Sequence, residues 1–296
     1  MNRRRRSLFI ASFLAPAALL YLVFVIVPLV QAFSFSLYRW KGLSPNRKFV
    51  GLDNFPWAFQ DSGFQVSLFN TAILLVVCGV ITFAASLTVA QWMRSKSGVA
   101  RALRGTFLFP HVISIVAVAI LWKFLYHPTI GLINATLKGI GLGQFTATWL
   151  GDAPTALGSI GVSFVWWAIG FYVMLFIAGL GAIPEEVDEA ANLDGATGWA
   201  KFWHVTWPML WSVKKVAATY LVINILNIFA LIMLMTRGGD PDRATENTLS
   251  YLYEVGFESS RFGHASAIAV INFAIALALG GLMAFLFRKN PEASRT

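Results

Sequence analysis

The sequence predicts an all-α membrane protein with six transmembrane helices. Of its 296 residues, 57% are hydrophobic and 12% are charged, and the mean hydropathy is +0.66. A soluble domain of this length carries far fewer apolar residues. The chain also contains six uncharged runs long enough to cross a hydrocarbon core, which takes about 20 helical residues. These runs cover residues 7–38, 62–93, 105–122, 153–184, 216–236 and 262–287.

The charge distribution predicts the orientation of the chain. Six spans place both termini on one side, and a cytoplasmic assignment puts 14 of the 23 Lys and Arg residues there, as the positive-inside rule requires. In so apolar a chain, the net charge of +9 therefore indicates topology rather than nucleic-acid binding. Residues 1–7 and 289–296 become cytoplasmic tails, residues 8–61 a retained first helix with an extracytoplasmic loop, and residues 62–288 the transmembrane core.

The first three runs contain residues that disturb a helix or are costly in lipid. Pro16 and Pro28 predict kinks in the first run. Small polar residues of the second run, such as Asn70, predict hydrogen bonds between helices. In the third run, Pro110 frees a backbone carbonyl and His111 places a polar ring in the membrane. Such a ring needs either a function or a partner on a neighbouring helix, and both interpretations stay open.

The fourth and fifth runs carry the candidates for a transport pathway. Trp166 and Trp167 lie near the middle of the fourth run, where they either fill the core or offer a flat platform for a sugar ring. Tyr220, Asn224 and Asn227 share one face of the fifth run. Amides in such an apolar helix need partners that lipid does not supply, so they indicate either a pathway or a patch that joins two helices.

The segment from residue 184 to residue 208 is a polar break between the fourth and fifth runs. We expect a short helix that starts at Pro184 and stops at Gly195, followed by a second helix from near Thr197. Five carboxylates occur within ten residues of this segment, with no basic residue among them. They indicate either a solvated connector or a docking surface for a basic cytoplasmic partner. They are Glu185, Glu186, Asp188, Glu189 and Asp194.

Several chemistries have no signature in the sequence. There is no phosphate-binding glycine loop, no paired His with metal-ligand spacing, and no charged residue within the six uncharged runs. We therefore expect a non-catalytic chain without a metal site, whose energy source is another protein. Two other classes are weaker alternatives: a membrane-embedded, lipid-linked sugar transferase that uses the carboxylates, and a secondary transporter.

The polar segment also carries a family resemblance. Glu189-Ala190-Ala191, Asp194-Gly195-Ala196, Phe202, Thr206 and Pro208 resemble the EAA loop of permease subunits of bacterial ABC importers. Further similarity extends over nearly the whole chain and looks like the maltose and glycerol-3-phosphate permease group. It includes the sequences from Pro16, from Val50 to Phe55, at Phe109-Pro110, from Gly131, and from Gly239 to Thr245 and Tyr253.

The resemblance implies the type I ABC importer permease fold, with a cytoplasmic coupling helix, in a bacterial plasma membrane. The expected partners are a second permease subunit, two ATPase subunits that use ATP and Mg, an extracytoplasmic solute-binding protein and membrane lipid, and the chain itself binds no cofactor. The implied coupling residues are Glu185, Glu189, Ala190, Ala191, Asp194, Gly195 and Ala196.

The resemblance also implies a cargo and a pathway. The cargo is a sugar, an oligosaccharide or a related polyol or glycerol-phosphate solute. Maltose itself is disfavoured because Phe164 stands where the maltose permease has an amide and His111 where it has a tyrosine. The implied pathway residues are His111, Ile115, Phe164, Trp167, Ala168, Tyr220, Asn224 and Asn227.

Overall fold

The computed structural model describes residues 3–42, 45–94 and 98–288 of the chain. The predicted tail at residues 289–296 and the first two residues of the predicted tail at 1–7 lie outside these ranges. Helices dominate the described residues, as predicted. The one strand pairing in the described ranges joins β1 (Tyr38–Arg39) and β2 (Lys48–Phe49) antiparallel, within a segment where the sequence predicts a loop.

The helices follow the order of the predicted runs. The α-helices of the first half are α1 (Arg3–Tyr21), α2 (Val27–Phe35), α3 (Asn54–Gln60), α4 (Ser62–Ile73), α5 (Gly79–Trp92), α6 (Gly98–Val112), α7 (Ile115–Leu125) and α8 (Leu132–Gly139). Those of the second half are α9 (Ala153–Gly181), α10 (Glu185–Leu193), α11 (Gly198–Lys201), α12 (Trp207–Met209), α13 (Trp211–Leu226), α14 (Phe229–Thr236), α15 (Thr248–Tyr253) and α16 (Phe262–Leu286). Short π turns occupy Leu22–Ile26, Leu74–Cys78, Phe202–Thr206 and Glu254–Glu258, and a 3₁₀ turn occupies Gly143–Phe145.

In the part of the chain that the structure describes, five helices are long and apolar enough to cross a membrane, namely Phe9–Phe35, Ser62–Trp92, Ala153–Gly181, Trp211–Thr236 and Phe262–Leu286. The third predicted run differs, because Gly105–Val112 and Ile115–Leu125 meet at an angle of 102°. The run therefore provides the sixth predicted span only as a bent pair of helices. The break lies at Ser114, whose ψ of 136° is extended rather than helical.

The first long helix passes both of its prolines without ending. The π turn at Leu22–Ile26 lies directly before Pro28, which has no N–H to donate to the preceding turn. None of the residues in the apolar window of this helix is buried within the chain. A helix that is apolar on all sides and unburied in its own chain needs lipid or another subunit around it.

The chain divides into two compact units, of which the first comprises Met1–Phe64 and Leu252–Ala274. Here the strand pair is fixed by Asn54, whose Nδ2 donates to the carbonyls of Ser36 at 2.7 Å and of Tyr38 at 3.0 Å. The N–H of Gly263 donates to the Trp40 carbonyl at 3.2 Å. A Cβ at Gly263 would overlap the Tyr38 carbonyl, so glycine permits this close approach.

The second unit comprises Gln65–Tyr251 and Ile275–Thr296, and α9 is central to it. Helices α5, α6, α7 and α13 all pack on α9. Ser86 of α5 donates its hydroxyl to the Ile169 carbonyl at 3.2 Å, which confirms the predicted role of such residues in joining helices. Gly170 of α9 abuts the Phe107 carbonyl of α6 so closely that a Cβ would overlap it.

A buried polar network holds the segment that connects α14 to α15. Asn70 of α4 donates its amide to the carbonyls of Arg243 at 3.1 Å and of Glu246 at 3.0 Å. The Glu246 carboxylate is 2% exposed and pairs with Arg243 at 2.8 Å. The hydroxyls of Thr236 and Thr245 lie 2.7 Å apart. These contacts fix the connector because they give its buried carbonyls, carboxylate and hydroxyls partners that lipid would not provide.

The fifth long helix is interrupted where the sequence predicts one continuous face. Helix α13 ends at Leu226, Asn227 adopts φ −98° and ψ 20°, and α14 begins at Phe229. Tyr220 and Asn224 therefore share a face within α13, but Asn227 lies at its C-terminal cap. The side chain of Asn227 donates to the Ile223 carbonyl at 2.8 Å and thereby satisfies one of the carbonyls at the helix end.

Three tryptophans spaced by four residues, Trp199, Trp203 and Trp207, contact one another edge to face. The ring centroids of Trp199 and Trp203 are 5.6 Å apart, and those of Trp203 and Trp207 are 5.3 Å apart. The helix breaks at Leu210, between α12 and α13. Trp211 packs on Phe287 instead, with the ring centroids 6.2 Å apart.

Candidate functional site

A cluster of rings, which we call the aromatic cluster, brings three helices together in the second unit. It consists of His111 of α6, Trp167, Phe171 and Tyr172 of α9, and Tyr220 of α13. The imidazole of His111 lies 4.6 Å from the Trp167 ring and 5.0 Å from the Phe171 ring. Phe171 also lies 5.1 Å from Tyr220. His111, Trp167 and Phe171 are half-buried, Tyr172 is buried and Tyr220 is exposed.

Polar atoms are distributed around these rings. The indole Nε1 of Trp167 donates to the Ile113 carbonyl at 3.1 Å, beside the break between α6 and α7. Asn224 donates its amide to the Tyr172 hydroxyl at 3.1 Å. The Nδ1 of His111 is buried without a hydrogen-bond partner among the residues that the structure describes. The cluster therefore combines flat apolar faces with hydrogen-bonding groups, which suits a ligand that has C–H faces and hydroxyls.

The structure places the eight predicted pathway residues in different environments. His111, Trp167, Tyr220 and Asn224 come together at the aromatic cluster. Ile115 lies half-buried in the first turn of α7, next to the break. Two others lie in the core of this chain, since Phe164 is 1% exposed and Ala168 is 0% exposed. Asn227 is exposed, and its side-chain amide donates to a carbonyl of its own helix.

The two central tryptophans of α9 belong to different clusters. Consecutive helical residues point about 100° apart, so they do not form one platform. Trp166 packs on Trp122 of α7 at 5.7 Å, whereas Trp167 faces His111. Sequence reasoning missed Phe171. The i, i+3/i+4, i+7 spacing of Phe164, Trp167 and Phe171 is the signal that could have revealed it.

Helix α10 is the second candidate site, and its ends are fixed by local interactions. Pro184 adopts ψ 143° and is therefore the N-cap, one residue before its predicted place at the first helical position. At the other end Gly195 has φ +76°, as a helix-stopping glycine requires. The N–H of Ala196 donates to the Ala191 carbonyl at 2.9 Å, and the N–H of Gly195 to the Asn192 carbonyl at 3.1 Å. This pair of bonds is the Schellman motif.

One carboxylate of α10 is paired inside the chain, although no basic residue occurs among the acidic residues in the sequence. Asp188 forms an ion pair with Arg94, which follows α5. Its Oδ1 also lies 3.2 Å from the Nζ of Lys201 in α11. The Nζ of Lys201 further donates to the backbone carbonyl of Asp188 at 3.3 Å. Asp188 thus ties α10 to α5 and α11, so it is not part of a free acidic surface.

The remaining surface of α10 is open. Ala191 is buried and Val187 packs on the core, so these two residues form the inner face. Leu193 in the last turn is 89% exposed, which is the highest value among the exposed large hydrophobic residues that the structure describes. The predicted coupling residues that remain exposed are Glu185, Glu189, Ala190, Asp194 and Gly195, whereas Ala196 is half-buried.

A single exposed apolar residue is common on protein surfaces, so the exposure of Leu193 does not by itself identify an interface. Sequence reasoning did not single out Leu193, because its exposure depends on where α10 ends. For metals, no three His, Cys, Asp or Glu side chains are grouped to hold an ion within the described ranges.

Comparisons with known proteins support one family. A family profile described as "binding-protein-dependent transport system inner membrane component" matches residues 76–292. The diacetylchitobiose uptake system permease protein NgcF of Streptomyces coelicolor is 34% identical, over 95% of this chain and 84% of its own length. The alpha-glucoside transport system permease protein AglF of Rhizobium meliloti is 33% identical, over 88% of this chain and 76% of its own length.

A solved structure shows the fold. It is the crystal structure of a bacterial ABC transporter involved in the import of the acidic polysaccharide alginate, and one of its chains matches with a TM-score of 0.83. The two chains are 24% identical, and the match covers 96% of each. These comparisons favour an importer permease over a sugar transferase or a secondary transporter. This multi-pass membrane chain therefore belongs to the binding-protein-dependent transport system inner membrane components, the permease subunits of ABC importers, and has the type I importer permease fold.

Proposed function

We propose that this chain forms part of the membrane pathway of an ATP-driven sugar importer and that α10 is its coupling helix. The partners in this proposal are a second permease subunit, two ATPase subunits that use ATP and Mg, and an extracytoplasmic solute-binding protein. The observation that carries it is the surface of α10, which is anchored on one face by Asp188 and exposed on the other up to Leu193.

The anchoring supports a role in transmitting force. A helix that moves independently of the bundle would absorb the movement of an ATPase subunit instead of passing it on. Asp188 joins α10 to the end of α5 and to α11. Val187 and Ala191 form the inner face of α10, which packs on the core. Movement of α10 would therefore shift α5, on which α9 packs. Rocking of α5 and α9 gives the two states that alternating access requires.

The orientation follows from the same proposal. The positive-inside rule places both termini and α10 in the cytoplasm, where ATPase subunits operate. The connector between α14 and α15 then lies on the extracytoplasmic side, as does α8. The solute-binding protein would meet the chain on that side.

The proposed cargo is a sugar, an oligosaccharide or a related polyol or glycerol-phosphate solute. Two relatives more than 30% identical over most of the chain are named for diacetylchitobiose uptake and alpha-glucoside transport. The aromatic cluster supports the same class, because sugar rings stack their C–H faces on aromatic rings and present hydroxyls to polar groups. His111, Trp167, Tyr220 and Asn224 supply both kinds of contact. The pathway role of the buried Phe164 and Ala168 and of Ile115 and Asn227 stays a prediction.

The coupling role is tested by a backbone substitution at the end of α10. Gly195 has φ +76° and no atom near the position of a Cβ, so Gly195→Val strains the backbone without a steric clash. We expect this variant to enter the membrane normally but to lose the ATPase during purification of the complex. Gly141 is a matched control, with φ +79° and equally open surroundings in the segment after α8. Normal ATPase co-purification and uptake for Gly195→Val would contradict the coupling role.

The cargo is tested in proteoliposomes that contain the purified complex. Uptake of radiolabelled disaccharides should require both internal ATP and the solute-binding protein. The same chain reconstituted alone should move no sugar, and transport without the other subunits would overturn the proposal.

A further inference from the structure

A basic cavity of about 560 Å³ lies in the first unit of the chain. Five cationic side chains line it, and we call it the basic cavity. Four of them lie in or next to the two strands, and the fifth directly precedes α16. They are Arg39, Lys41, Arg47, Lys48 and Arg261, and the indole of Trp40 and the ring of His264 complete the lining together with Pro45 and Asn46.

No carboxylate lines the basic cavity, although Asp61 interacts electrostatically with one lining residue, His264. The acidic residues of the first unit are Asp53, Asp61, Glu254 and Glu258, and none of them lines the cavity. Within the described ranges, none of the five cationic residues forms an ion pair. Like charges so close together repel one another unless an anion lies between them. The basic cavity therefore has the electrostatics of an anion site.

The cavity lies where two apolar helices end. The strand pair follows α2, which ends at Phe35, and Arg261 directly precedes α16, which begins at Phe262. Aromatic rings surround this level, since Trp40 lies 4.7 Å from Phe35 and 5.9 Å from Phe262. Such rings mark the boundary between hydrocarbon and water in membrane proteins. The cavity is therefore at the depth of lipid headgroups.

The backbone around the cavity is fixed before any ligand arrives. The amide of Asn54 donates hydrogen bonds to the carbonyls of Ser36 and Tyr38, and the N–H of Gly263 donates to the carbonyl of Trp40. Arg47 lies over the ring of Tyr38, with its Cζ 5.1 Å from the ring centre. These contacts position the strand pair and the guanidinium of Arg47 in the absence of a ligand, which lowers the cost of binding an anion there.

We propose that the basic cavity binds the phosphate group of an anionic phospholipid. A phosphodiester offers several oxygens to guanidinium and ammonium donors, and its acyl chains would lie along the apolar surfaces of the two helices. A soluble phosphate compound has the same headgroup chemistry. The position at the ends of α2 and α16 favours the lipid, because a lipid is held at this depth by its own chains.

The test compares lipid retention by the purified complex in mixed micelles of phosphatidylglycerol and phosphatidylcholine. Native mass spectrometry counts the lipids that stay bound. We expect the wild-type complex to retain phosphatidylglycerol preferentially. The double variant Arg47→Gln with Arg261→Gln should reduce that preference at least about fivefold, since both substitutions remove charged donors to the phosphate. The control is the double variant Lys138→Gln with Arg237→Gln, which removes two exposed charges elsewhere and should retain the preference.

Three results would overturn the proposal. The first is an equal lipid preference in wild type and the Arg47, Arg261 variant. The second is displacement of bound phosphatidylglycerol by millimolar glycerol phosphate, which identifies a soluble oxyanion as the ligand. The third is unchanged lipid retention together with weaker binding of the solute-binding protein, which identifies a docking surface for an acidic protein.

Discussion

Arg94 and Asp188 form an ion pair that joins the end of α5 to the first half of α10, across 94 positions of sequence. Lys201 adds a second cation on the other oxygen of the same carboxylate. The pair is partly buried, with side-chain exposures of 30% for Arg94 and 23% for Asp188. It thereby connects the proposed coupling helix to the bundle by a contact that water only partly screens.

We predict that Asp188→Asn slows uptake several-fold while the ATPase still co-purifies. The change removes the charge of Asp188 and leaves the exposed surface of α10 intact. The uptake rate should therefore fall more than the affinity of the chain for the ATPase. The contact is worth about 1 kcal/mol because it is partly exposed. Arg94→Gln added to Asp188→Asn should cause little further loss in the uptake rate, since both changes remove the same pair. Glu186→Gln, on the exposed side of the same turn, is the control and should leave uptake unchanged.

Leu193→Ser should weaken the docking of the ATPase. A leucine that is 89% exposed in the isolated chain and buried in an interface contributes about 1.5–3 kcal/mol, which is about 10- to 100-fold in affinity. The measurement is the amount of ATPase that stays with the tagged chain in detergent at increasing dilution. Phe145→Ser is the control, because Phe145 is also exposed but lies in the segment between α8 and α9. Equal retention in both variants would rule out Leu193 as a contact.

Asn224→Ala should raise the KM of sugar uptake about fivefold with assembly unchanged. The substitution removes the donor to the Tyr172 hydroxyl, and a hydrogen bond of this kind contributes about 1 kcal/mol. Tyr172→Phe tests whether Asn224 acts through this bond or on the sugar directly. Asn227→Ala is the comparison, because that side chain is engaged with its own helix at Ile223. A KM that is unchanged in Asn224→Ala would remove Asn224 from the pathway.

Gly170→Val should destabilise the packing of α6 on α9. A Cβ at Gly170 overlaps the Phe107 carbonyl, which belongs to backbone and cannot rotate away. Overpacking of this kind costs about 1–3 kcal/mol. Thermal unfolding of the solubilised chain should therefore occur at a lower temperature. Gly181→Val, at the end of the same helix with open space around it, is the control for adding a branched side chain to α9.

Asn70→Leu should loosen the connector between α14 and α15. The carbonyls of Arg243 and Glu246 would lose their donor, and a buried group without a partner costs about 1–3 kcal/mol. We expect faster proteolysis in the segment from residue 237 to residue 247. Thr88→Val removes a polar group that bonds to the preceding turn at Ala84, and it should leave the cleavage rate as in wild type.

Local signals in the sequence predict the proposed coupling helix closely. A proline before the helix and a glycine after it set its ends within one residue, because caps depend on neighbouring residues alone. The ion pair of Asp188 has no such signal. Arg94 is distant in sequence, and the acidic segment looks unpaired until the fold brings α5 beside it.

Hydropathy also has a limit at the third predicted run. Residues 105–122 contain no charged residue, and composition does not record the angle of 102° at Ser114. The sequence predicts only some members of the aromatic cluster. His111 and Trp167 are unusual residues for the middle of an apolar run, whereas Phe171 is identified only by its contact with His111, once the fold packs α6 on α9.

The bond from the Trp167 indole to the Ile113 carbonyl has a consequence for selectivity. The bend leaves that carbonyl without a donor from its own helix, and inside a bilayer an unsatisfied carbonyl costs several kcal/mol. Any molecule that pushes the indole aside must therefore bring a donor of its own. In the proposed pathway, a hydroxylated solute would make that exchange at little cost, whereas an acyl chain or a detergent tail has no donor, so the indole would select against apolar molecules.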